Sequence, residues 1–101
     1  MNDPDYCARD YMRWAYREME DGNCPAGFAG KTVAHVFDDS SDDLRRDVLA
    51  MIEAVDEYLK TWTPRPDAGD HYIESTTSAI RFWRTTERPF YMASKHAQVT
   101  A

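Results

Sequence analysis

The residues whose types and spacing could do chemistry lie closest together in "CPAGFAGKTVAHVF", residues 24–37. Gly30, Lys31 and Thr32 match the second half of a phosphate-binding loop, in which backbone N–H groups wrap the phosphates and the lysine reaches the terminal ones. The first half fails. Pro25 stands where the leading glycine should be, and it has a fixed φ and no N–H to offer. The stretch follows polar "REMEDGNC" rather than a buried strand, and no later apolar run ends in a magnesium-binding aspartate. These departures argue against nucleotide hydrolysis. They leave Lys31 and Thr32, with Arg9, Arg13 and Arg17, as an anion site for a phosphate or carboxylate. The plainer account is that Gly27 and Gly30 shape a tight interhelix connection.

The acidic run "FDDSSDD" raises calcium. In an EF-hand register starting at Asp38, Ser40 and Asp42 take the third and fifth positions, but Asp43 replaces the turn glycine and Leu49 the bidentate glutamate. A capped helix start explains the run better. Cys7, Cys24, His35, His71 and His96 show none of the short paired spacings of a zinc site. The serines have no nucleophile elbow around them. The sequence therefore predicts a protein that is not an enzyme and carries no metal or cofactor.

What remains is contact chemistry. Leu, Ile, Val and Phe make up only fifteen of the 101 residues, against six Tyr, four Phe, three Trp and five Met. Such a core rests on rings and thioethers, and Tyr and Trp are the residue types that dominate contact surfaces. The net charge is −6, with residues 81–101 carrying +3 and residues 1–80 therefore −9. An acidic body repels nucleic acid and membrane phosphates. Asp38, Asp39, Asp42, Asp43, Glu53, Asp56 and Glu57 would form an acidic face for a partner with a basic surface, with Tyr11 and Trp14 as contact rings.

A non-enzymatic interaction protein follows from these features, an inhibitor or adaptor of another macromolecule. Size and composition suit a phage or mobile-element product acting on host machinery. One alternative is a binder of a phosphate-bearing ligand such as a nucleotide, with Tyr11 or Trp14 stacking on it. Another is a homo-oligomeric structural subunit. The polar, acidic N-terminus and the lack of a long apolar run predict a cytoplasmic chain with free thiols.

The elements that must position these residues follow from period and punctuation. Residues 5–21 read as a helix stopped by "DGN", with Ala8, Met12, Ala15 and Met19 as the buried stripe and Arg9, Arg13 and Arg17 nearly opposite. Residues 25–38 fit a short helix, or a strand at 31–37. Ser40 or Ser41 caps a helix from Asp42 to Trp62, the clearest element, with the apolar stripe Leu44, Val48, Met51, Ile52, Val55, Leu59 and Trp62 and an Asp56–Lys60 pair. "TPRP" ends it. Residues 71–86, capped by Asp70, fit a helix better than a hairpin. The predicted fold is all-α, a bundle of three to four helices around the long one, with α+β and a small antiparallel sheet as the alternative. Residues 1–89 form the predicted domain, and 90–101 a basic, flexible tail beyond Pro89 from which Phe90, Tyr91 and Met92 could dock.

Overall fold

The computed structural model describes residues 3–27, 37 and 39–93. Among them are three helices, α1 (Pro4–Glu20), α2 (Asp42–Thr61) and α3 (Asp70–Phe82). A π turn at Trp83–Glu87 continues α3, and helix runs on through 88–93. No strand occurs among the described residues, and the fold is the small all-α bundle with a long central helix that the periodicity predicts. Of residues 31–37, where helix and strand competed, only Phe37 is described, and it is buried in the core.

α1 begins where its residues best tolerate a helix start. Pro4 supplies a preset φ in the first turn, and the Asp3 side chain accepts the Asp5 N–H at 3.0 Å. Its C-terminus is a Schellman motif. The Asn23 N–H reaches the Glu18 carbonyl at 2.8 Å and the Gly22 N–H the Met19 carbonyl at 3.2 Å, while Gly22 sits at φ +78°. The buried line of α1 is Ala8, Tyr11 and Ala15, so it is turned toward Tyr11, and Met12 and Met19 are only half-buried.

α2 starts at Asp42 as predicted, with Ser41 as its N-cap residue, though the Ser41 side chain makes no capping bond. Instead the Ser41 N–H donates to Asp5 Oδ1 at 2.8 Å and Ser40 Oγ to the Pro4 carbonyl at 3.4 Å, joining the N-termini of α1 and α2. Asp42 and Asp43 lie at the positive end of the helix dipole and Lys60 at the negative end. Leu44, Val48, Met51, Ile52, Val55 and Leu59 are all buried, joined by Leu49. Trp62 turns extended at ψ 137° and ends the helix ahead of Pro64 and Pro66.

α3 starts one residue earlier than expected, with Gly69 as N-cap and Asp70 inside the first turn. The hairpin alternative is overturned. The Ser/Thr run that suggested strands lies within the helix, where Thr76 Oγ1 donates to the Tyr72 carbonyl at 3.0 Å; further on, Thr85 Oγ1 donates to the Arg81 carbonyl at 2.8 Å.

The π turn decides what comes next. Trp83, Glu87 and Tyr91 recur every four residues, and in a straight α-helix of 3.6 residues per turn such positions drift round the axis. The wider turn, closed by the Arg88 N–H on the Trp83 carbonyl, keeps all three pointing into the core, where all are buried. Pro89 falls just after this shift in the hydrogen-bond ladder, so the helix passes through it. The core thus continues past residue 89, because Tyr91 is a core residue with no exposed surface. Its ring meets Phe37 edge-on at 4.9 Å and Tyr11 at 6.3 Å between centroids. The rest of the basic tail, 94–101, lies outside the described residues.

Candidate functional site

The sequence-predicted contact residues do not converge on one place. Lys31, Thr32 and Asp38 lie outside the described residues. Arg9, Arg13 and Arg17 are exposed along the outer face of α1 beside Tyr6 and Tyr16, with Arg13 3.9 Å from Asp10. Tyr11 is corrected outright. It is 1% exposed and packed among Trp14, Tyr91 and Glu87, so its ring is closed to any partner or ligand. Burial, and next the charge of Glu87 beside it, push its phenol pKa upward.

The described acids expected to form a contact face are largely balanced within the chain. Asp39, Asp42, Asp43, Glu53 and Glu57 are exposed, and Asp56 is half-buried. Asp42 pairs with Arg45, Asp43 with Arg46 and Glu57 with Lys60 at 2.8 Å. Asp56 pairs with Arg88 at 3.6 Å and not with Lys60. Four of the six described acids thus have a cation beside them, which reduces the field they present to a basic surface.

Trp14 is the predicted contact residue that the fold places in a concavity. A cleft of about 370 Å³, within the usual range of ligand pockets, opens between the C-terminal half of α1, the loop after it and the first turns of α3. Trp14 and Tyr72 line it with Cys24 and Ala79, and Glu18 and Arg65 supply opposite charges. Part of this lining is set by close approach of backbone. Gly27 has φ +84°, and a Cβ there would stand 3.2 Å from the Ala79 Cβ. The Cys24 thiol is buried, and that burial raises its pKa, with the Glu18 charge adding to the effect against a backbone hydrogen bond at Ala26. A thiol held protonated is a poor nucleophile and a poor metal ligand. Cys24 and the half-buried Cys7 are both free.

Tyr72, Arg65 and Glu18 were not singled out in the sequence. Tyr72 and Arg65 sit far from Trp14 along the chain and carry no motif, so the one available signal was their interface-prone residue type. Among the described residues no three His, Cys, Asp or Glu gather as a metal site, and no helix is long and apolar enough to cross a membrane.

The chain matches no family model, no curated protein and no solved structure. Function is therefore argued from the surface itself.

Proposed function

We propose that this chain is a non-enzymatic binding protein, an inhibitor or adaptor, that receives a segment of a protein partner in the cleft between α1 and α3. The observation that carries the reading is that Trp14 and Tyr72, two hot-spot residue types, line one concavity together with Glu18 and Arg65. An apolar or aromatic side chain of the partner fits against the rings, and a partner carboxylate fits Arg65 in the bidentate geometry that guanidinium favours. The protonated state of Cys24 supports binding over covalent chemistry there. Affinity on this reading depends more on the rings than on the internally paired acids of α2, so it falls only modestly from low to high salt.

The test is a pull-down with the full chain as bait, run beside Tyr72→Ala and Arg65→Glu baits of unchanged helicity. A stoichiometric companion that the wild type holds and both variants lose supports the cleft. One held equally by all three baits places the contact elsewhere. The second reading, a small-ligand binder, is favoured by the volume of the same cleft. A thermal-shift panel of aromatic acids and nucleotides separates the two, because ligand at 100 times its Kd adds about 2.7 kcal/mol and moves the melting point by several degrees.

A further inference from the structure

The flank of α3 turned away from the cleft is built to meet a copy of itself. Asp70, Ile73, Glu74, Thr77, Ile80, Arg81 and Arg84 recur at three- and four-residue steps and share one side of the helix. Ile73 is 37% exposed; Asp70, Glu74, Thr77, Arg81 and Arg84 are exposed as well, and Ile80 is half-buried against the core. Both acids lie at one end of this side and both arginines at the other. None of the four forms an ion pair with another described residue, in contrast to the acids of α2.

The surface between them is already concave. Thr77, Ile80, Arg81 and Arg84, together with Thr85, enclose a hollow of about 400 Å³. Positions i, i+3, i+4 and i+7 are the four that make a hole for a knob from a facing helix. We infer that two copies of this chain pair through α3 in antiparallel fashion about a two-fold axis at Thr77, with Ile73 of each copy seated in the hollow of the other.

Register and charge agree on this axis. Ile73 lies four residues before Thr77 and Arg81, at the middle of the hollow, four after it. Asp70 lies seven before and Arg84 seven after, so the same axis sets acid against arginine at both ends. The parallel arrangement sets acids on acids and arginines on arginines. Over Asp70–Phe82 only Thr76 is buried, which leaves this side of α3 available, and an isologous contact there closes at two copies. The cleft faces the other flank of α3, so this pairing does not rest on the binding reading above and leaves the cleft open.

Sedimentation equilibrium of the full chain, over roughly 5 to 500 μM to suit an interface at the small end of the stable range, tests the inference. The mean mass is expected to rise from 11.7 kDa toward twice that value. The paired variants D70R/E74R and R81E/R84E are each expected to stay monomeric and to dimerise when mixed in equal amounts, because only the mixture restores opposite charges across the axis. In an otherwise wild-type chain, T77C is expected to form a cross-linked dimer under mild oxidation, and this reading stands even if the charge variants fail to fold. A wild type that stays at 11.7 kDa throughout, charge variants that dimerise alone as well as it does, or T77C that gives no cross-link, overturns the inference.

Discussion

Trp62, at the end of α2, donates its indole Nε1–H to the carbonyl of Gly22 at 2.9 Å, in the loop that closes α1. One turn earlier on α2, the Tyr58 hydroxyl donates to the Asn23 carbonyl at 2.9 Å. Two aromatic side chains of α2 thus hold the backbone of the Schellman turn, and the next residue, Cys24, already lines the cleft.

Removing either donor tests how far the cleft depends on α2. Tyr58→Phe keeps the ring and loses one neutral hydrogen bond, so it is expected to lower stability by about 0.5–1.5 kcal/mol. At the size of this chain that is a fall of a few degrees in Tm. Trp62→Phe loses its bond and also exchanges the indole for a smaller ring packed against the core, and is expected to cost more. Because both bonds hold one loop, the double variant is expected to depart from additivity, as a double-mutant cycle in urea would show. Gly22→Ala adds a separate cost of about 1–2 kcal/mol, since φ is positive there while no atom stands within 4 Å of the new Cβ.

Alkaline pH should weaken the fold through Tyr11. Its phenol has a raised pKa in the folded state, from burial first and Glu87 second, while in the unfolded chain it titrates near 10. Above that pH the unfolded chain sheds a proton that the folded chain retains, so the stability this group contributes is complete below about pH 10 and is lost as pH rises beyond it. Tyr11→Phe is expected to be less stable at pH 7, because Glu87 loses its hydroxyl partner, and to lose less on going to pH 11. Urea titrations at the two pH values decide it. An alkaline slope identical in both proteins would show that Tyr11 is not the group responsible.

The two thiols are expected to part company under alkylation. Cys7 is half-buried and Cys24 buried, with its pKa raised. At pH 8 iodoacetamide should modify Cys7 first and reach Cys24 only through opening of the structure, so mass spectrometry of timed samples should show one adduct well before two. Equal rates at the two sites, under conditions where the fold is intact, contradict the burial of Cys24.

How much of this was legible in the sequence depended on whether local rules acted alone. α2 was legible almost to the residue because Leu44 through Leu59 keep one period and Pro64 stops it without appeal to anything distant. Gly22 was legible because a left-handed cap needs a residue without a Cβ. Tyr11 was misread because period alone cannot choose between adjacent directions on α1; the rings of Tyr91 and Trp83, brought in from the far end of the chain, choose it. The ion pairing of the acidic face was half visible, since Arg45 and Arg46 stand three residues after Asp42 and Asp43, but the Arg88–Asp56 pair required the fold. The cleft was out of reach, because Trp14, Arg65 and Tyr72 share no local pattern.

The continuation of the core past Pro89 leads to the sharpest test. Tyr91 has no exposed surface, whereas its neighbour Phe90 is 42% exposed. Tyr91→Ala should therefore cost about 3–5 kcal/mol, as large aromatic truncations in a core do, and Phe90→Ala about 1 kcal/mol or less. The π turn makes a further claim about register. It acts as one extra residue between Trp83 and Tyr91, so deleting Thr86 together with Pro89→Ala leaves the partners of Trp83 three and seven positions on, where a straight α-helix also faces the core. That variant should keep Tyr91 buried and stay within about 1 kcal/mol of the wild type. Inserting one alanine at the same point swings Tyr91 out of the core and should cost as much as Tyr91→Ala. If deletion and insertion prove equally damaging in urea unfolding, the π turn is not what aligns Trp83, Glu87 and Tyr91.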